Sequence, residues 1–371
     1  MRRAEDAEHS GGEHEDLARS RRRRWRAARV ECAGVDATVE ERGADNVVRA
    51  FLRVSAGDRV ALLSWRAAEA SALLSAALER AGAVVVPIAL ESIPESFARN
   101  ALERAMGDAR RSILAASHGI PPPLSMAALE LARRSDRVHL HLTRIDPRLF
   151  SQSFRADPER IALLNEKIIH ALASARTLHV RSTRGTELSV ELSSRFALLA
   201  ADGRPSPGRA DNLPSGHVMT HPARVDGTLV ADRLAVGAIR VGKDVLRRSP
   251  LTVKLVAGAV SAIECSDAAT RDEVERYLAS HENAGRVGLV TLPTHYLVRA
   301  ESGIEVQDAL LPGLGLGLGY THHEHTRAPF ACPVQLRLSG RGQSVWVDGG
   351  ARLVDDGRWR DEWVGGIDPF R

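Results

Sequence analysis

Cysteine is scarce and scattered, with three in 371 residues, at Cys32, Cys265 and Cys332. That excludes a disulfide framework and a CxxC metal clasp, and it fits a reducing cytoplasm. Aromatic residues make up 4% of the chain, too few for a platform that stacks nucleic-acid bases. No stretch approaches the ~18 apolar residues of a membrane span, so a membrane is not an expected partner. Lysine is nearly missing, and the formal charge of +4 rests almost wholly on arginine. The turn after the first expected strand is not GxGxxG, which removes the dinucleotide fingerprint. No GxSxG elbow and no HExxH helix is present either.

What is there is an ordinary globular composition. Hydrophobic residues are 44% of the chain, and its length points to two domains. The start, residues 1–44, reads as a tail: an acidic, His-containing lead and then "SRRRRWRAAR" at Ser20–Arg29. Blocks of like charge stay solvated. A disordered basic tail or a mis-assigned start is therefore expected, with a nucleic-acid tether as the alternative. No apolar run follows the arginines, so the segment is not a signal peptide.

From there "GDRVALLSW", "RAAEASALLSAALERAGA" and "AVVVPIAL" give strand, helix and strand, with Gly82 as the helix stop. Such a unit implies a parallel, Rossmann-like sheet. "RSILAAS" and "RVHLHLT" continue it; in the latter Arg137 and Arg144 beside His139 and His141 suggest a sheet edge. After the helix "ERIALLNEKIIHALASA" the pattern changes to short strands with Gly-rich turns. The expected architecture is an α/β domain over residues 45–180, followed by a β-rich α+β domain over 181–371. "PGLGLGLGY" reads as a strand with one side-chain-free face, and Asp348 as a hairpin turn residue.

"GDRVALL…ALERAGAVVVPIAL", "NEKIIHALASARTLHVRSTRGTELSVEL" and "NLPSGHVMTHPARVDGTLVAD" follow one another as in the aminopeptidase T family. "LTVKLVAGAVSAIEC" and "SVWVDGGARLVDDG" extend the likeness. The chain resembles those metallo-aminopeptidases, and the ring-cleaving 2,5-dihydroxypyridine dioxygenases are similar. The resemblance implies an aminopeptidase T-like fold, a homodimer, and a cleft in the second domain that holds divalent metal. It also implies where the ligands belong. The Glu of the N-L-P-x-G-E turn is His217 here. The stretch expected to supply a second Glu is "RVGLVTLPTH", Arg286–His295, which has no carboxylate. The later His falls near Gly315, and the H-x-D pair falls on Pro333 and Gln335. The expected ligand set is dismantled.

Against this stands "THHEHTRAPF", Thr321–Phe330, rich in imidazole donors. His217, His323 and His325 are the alternative ligands for Zn, Fe or Mn. A solvated loop is the plainer reading of the same residues. The residues expected to line the degenerate cleft are Asn212, Ser215, His217, His221, His295, Gly315, Tyr320, His322, His323, His325 and Gln335. The expected function is a non-catalytic protein that binds a peptide, with no cofactor. It would present a precursor in a peptide natural-product pathway. The alternative is a metal-dependent aminopeptidase or dioxygenase with a rebuilt site. Nucleic acid is not the expected partner.

Overall fold

Three sheets carry the chain. In the computed structural model, which describes residues 37–369 apart from 238 and 240, the first sheet is parallel throughout. Its order is β2 (Val84–Ala89), β1 (Arg59–Trp65), β3 (Arg111–Ala116), β4 (Val138–Thr143) and β8 (Ala210–Asn212). Its inner strands read as continuous apolar runs because helices cover both faces. Val60 and Leu62 of β1 turn to one core, whereas Ala61 and Leu63 turn to a second one with Leu102, Met106, Leu124 and Leu131. The first crossover helix, Ala68–Arg80, stops where expected, with Gly82 at φ 77° just past its end.

The Arg-rich segment at Ser20–Arg29 lies outside the described residues, and residues from Val39 onward form one unit. Residues 39–44, placed in the tail by the sequence, open the helix Val39–Asn46. Gly43 allows that helix to pack tightly: a Cβ there would lie 1.8 Å from the Phe150 carbonyl oxygen.

β4 is not an edge strand. β8 returns about seventy residues later and pairs along it, so His139 and His141 lie inside the sheet. Arg137, taken as a sign of exposure, is buried and donates to the Gly107 carbonyl oxygen.

The other two sheets are antiparallel. The eight-stranded one runs β13 (Ala259–Glu264), β12 (Leu251–Val256), β10 (Arg224–Ala231), β6 (Glu187–Glu191), β5 (Thr177–Ser182), β17 (Gln343–Val347), β18 (Ala351–Asp355), β19 (Arg358–Trp359). Asp348 forms the β17–β18 turn at φ 48° and accepts from the Arg176 and Thr177 amides. The six-stranded sheet runs β11 (Leu234–Gly237), β16 (Gln335–Ser339), β15 (Gly315–Gly319), β14 (Val287–Pro293), β9 (His217–Thr220), β7 (Leu199–Ala201). One continuous core joins all three sheets. Among the described residues no helix is long and apolar enough to cross a membrane.

Candidate functional site

The turn Leu213–Gly216 links the edge of the parallel sheet to the six-stranded one. Gly216 sits at φ 134°, and a Cβ on it would lie 3.0 Å from the His295 backbone. No other residue suits that place without strain. The Thr294 amide donates to the Gly216 carbonyl (2.8 Å), and the next residue, His217, opens β9 opposite Pro293. Ser215 is buried in the turn and Asn212 is exposed.

Register decides what faces the same way as His217. Directly paired residues share a face, and neighbours along a strand alternate. Val218, Leu292, Leu316, Leu318, Leu336 and Leu338 therefore turn into the core. The opposite face carries His217 and Met219 on β9, Gly315, Gly317 and Gly319 on β15, and Gln335 and Arg337 on β16. Gly317 pairs with Leu289 on one side and Arg337 on the other. The three glycines leave this face of β15 without side chains between longer ones, but Gly317 and Gly319 are buried, and a Cβ on Gly319 would lie 2.3 Å from the Val334 carbonyl oxygen and 2.7 Å from the Tyr277 hydroxyl. A Cβ on Gly317 would meet the Leu289 Cβ at 3.4 Å, Gln335 Nε2 at 3.6 Å and the Leu289 carbonyl oxygen at 3.7 Å. Packing therefore does not demand glycine at 317.

The charges on this face are one-sided. Burial, then the charge of Arg337 and the neighbouring His322, push the His217 imidazole down to about 3. His217 is thus neutral near pH 7, and its buried Nδ1 has no hydrogen-bond partner. Arg337 is half-buried as a residue, yet desolvation of its guanidinium lowers the pKa from the usual value. Among the described residues nothing pairs with it, by hydrogen bond or by ion contact. Gln335 has no side-chain hydrogen bond either.

Over 88% of this chain and 98% of the other, the structure matches 2,5-dihydroxypyridine dioxygenase from Pseudomonas putida, with a TM-score of 0.60 and 16% identity. It matches AmpT from Thermus thermophilus over 86% of this chain and 98% of the other, with a TM-score of 0.61 and 17% identity. The fold is aminopeptidase T-like. Residues 154–287 also match the sequence family of 2,5-dihydroxypyridine 5,6-dioxygenase, a stretch that holds the Asn212–His217 turn and ends as β14 begins. No curated protein matches the chain. The resemblance read in the sequence holds at the level of the fold.

Within this aminopeptidase T-like fold, the positions assigned to metal ligands by resemblance hold His217, Gly315, Pro333 and Gln335. Gly315 brings no side chain to the floor, and Pro333 lies exposed before β16. Among the described residues no three His, Cys, Asp or Glu side chains converge. The neighbourhood does not fit a divalent cation, because Arg337 sets a fixed positive charge beside His217 and no carboxylate figures among the charges acting on either.

The alternative set of His217, His323 and His325 is not brought together. His323 and His325 are exposed on the short helix His323–Thr326, bounded by left-handed residues at His322 and Arg327. His322 is the one that approaches His217, and its Nδ1 lies 3.2 Å from the Tyr320 hydroxyl. His221 is held edge-on between Phe196 and Phe330, with ring centroids at 4.6 and 5.5 Å, and its Nδ1 lies 2.8 Å from the Gly288 carbonyl oxygen. That is a packing role. His295 lies under Gly216 with Nε2 3.1 Å from the Ser153 carbonyl oxygen.

Arg337 escaped the sequence reading because "QLRLS" is an ordinary alternating strand. The signal was available: a residue two beyond Gln335 must share its face.

Proposed function

We propose that this aminopeptidase T-like chain is a non-catalytic peptide-binding protein of the reducing cytoplasm. It holds an extended peptide against the face of β15 at Gly315 and Gly317 and presents a precursor to other enzymes in a peptide natural-product pathway. The observation that supports this reading is the glycine-lined face of β15, bordered by Leu289 and Thr291 of β14 on one side and by Gln335 and Arg337 of β16 on the other. A strand without side chains lets another backbone come close across its face; the β15 amides and carbonyls are already paired with β14 and β16, so the contact is with the face and not with an edge. Recognition on this face needs no activated water and no cation.

Calorimetry with short unstructured peptides tests it, with Gly317→Val as the control. A Cβ at 317 makes only ordinary contacts, and the melting temperature of Gly317→Val reads whether the two further methyls leave the sheet intact. Binding by the native chain and a drop of ten-fold or more in Gly317→Val are expected. Equal binding by both would place the peptide elsewhere and remove the reading.

A second reading, a metal-dependent aminopeptidase or ring-cleaving dioxygenase with a histidine site for Zn, Fe or Mn, is favoured by one observation: His322 approaches His217, whose Nδ1 has no partner. Elemental analysis of the purified protein separates the two, since stoichiometric bound metal belongs only to the second.

A further inference from the structure

The unpartnered groups on the glycine face are all able to donate. Arg337 offers a planar guanidinium fork, Gln335 an amide that reaches over Gly317, and His217 an imidazole nitrogen that is buried without a partner. A charge withdrawn from water is unfavourable unless something compensates it. Elsewhere in the molecule buried arginines are compensated. Arg233 reaches Ser339 and the carbonyls of Leu311 and Pro312, with Glu301 and Asp232 nearby, and Arg341 pairs with Glu301 and Asp232. Arg337 stands apart from them.

We propose that Arg337, with Gln335 beside it on the same face of β16, forms a recognition site for the carboxylate of a bound ligand at the edge of the glycine floor. The charge count selects the anion. Arg337 supplies one positive charge and Gln335 a neutral donor beside it, so the pair matches a monoanion. A phosphate dianion calls for a second cation. Two parallel N–H···O bonds from one guanidinium also match a planar carboxylate. The bound carboxylate replaces the water that the guanidinium lost on folding.

The identity of the ligand rests on the peptide-binding reading; the carboxylate site itself does not. In a peptide the group is either the C-terminal carboxylate or an acidic side chain. The two sources are told apart with four probes in calorimetry: tetra-alanine, tetra-alanine amide, an amidated tetrapeptide containing one glutamate, and acetate.

Arg337→Met keeps the stem and removes the charge. The expected result is that carboxylate-bearing probes bind, that their affinity falls about 10- to 100-fold in Arg337→Met, and that tetra-alanine amide binds the native chain as weakly as the variant binds the acid. Preference for tetra-alanine over the glutamate probe assigns the site to a C-terminus, and the reverse to a side chain. Acetate binding that depends on Arg337, with no gain from any peptide, keeps the carboxylate site and removes the peptide reading. Peptide binding indifferent to amidation and to Arg337→Met keeps the peptide reading and overturns this inference. Tighter binding of inorganic phosphate than of acetate overturns it as well. Should the methionine variant melt early, the acid–amide difference on the native chain and Gln335→Leu read the same contact, and no acid–amide difference overturns the proposal.

Discussion

Two polar clusters in this molecule are both withdrawn from water, wholly or in part, and yet are built in opposite ways. Within the parallel sheet, His139 Nδ1 lies 2.8 Å from Ser112 Oγ and its Nε2 lies 3.4 Å from His141 Nδ1, so the polar atoms answer one another. On the six-stranded sheet His217, Arg337 and Gln335 share a face and none is answered by a neighbour. Burial depresses the imidazoles in both places: His139 to about 3, His141 to about 4 and His217 to about 3. Desolvation alone therefore does not mark a functional site in this fold. What separates the clusters is whether the desolvated groups have found partners within the chain.

The contrast is sharpest where one strand carries both kinds of residue. On β16, Leu336 and Leu338 fill the core, and Arg337 between them faces the floor. Leu338→Ala is expected to destabilise the protein by about 2–5 kcal/mol in chemical denaturation. Arg337→Met should leave stability unchanged or raise it, because an unpaired buried charge is removed. Comparable losses at both positions would mean that Arg337 is structural and would erase the distinction.

Acid tests the clusters next. An imidazole held neutral in the fold takes up a proton more readily once unfolded, so the unfolded chain binds more protons below the ordinary value of 6.5. The contribution of such a group to stability is complete above that value. It is lost as pH falls from 6.5 toward about 3 or 4, at about 1.4 kcal/mol per pH unit for each histidine. Denaturation at pH 7 and pH 5 should show this slope, with His139→Phe reducing it by about one proton. A saturating carboxylate at Arg337 offsets the positive charge beside His217, which is second to burial in depressing it, and so reduces the His217 share of the slope while leaving that of His139 untouched. A slope that does not differ between native chain and His139→Phe would contradict the burial of this pair.

The smallest effect is expected in the exposed cluster. His323→Ala combined with His325→Ala should shift stability by less than about 0.5 kcal/mol and leave peptide affinity unchanged, since both side chains face solvent. A large loss of bound metal or ligand in that double variant would bring back the rebuilt-site reading.

The parts of the fold that were legible are those in which local chemistry decides. "GDRVALL" and "RSILAA" are apolar enough for buried parallel strands, and Asp157 and Asp267 cap their helices by accepting from the amides of Glu159 and Thr270. The Leu–Gly alternation of Gly315–Gly319 likewise announced a strand with one bare face. What escaped depends on distant pairing. His139 looked marginal because its neighbour β8 arrives from residues 210–212, which no local window contains. The helix His323–Thr326 is a single turn, too short to leave a period, and left-handed residues on both sides set its limits. In the site, His217 was found through the turn that presents it. Arg337 was missed because its meaning lies in what does not surround it, and a sequence does not list missing partners.

The most direct test is mass spectrometry of a saturating peptide incubated with the protein, in parallel with chelator and with added Zn, Fe or Mn. The account predicts that calorimetry shows the peptide bound under each condition and that all of it is recovered intact. Peptide fragments that accumulate with metal and vanish on chelation would contradict it.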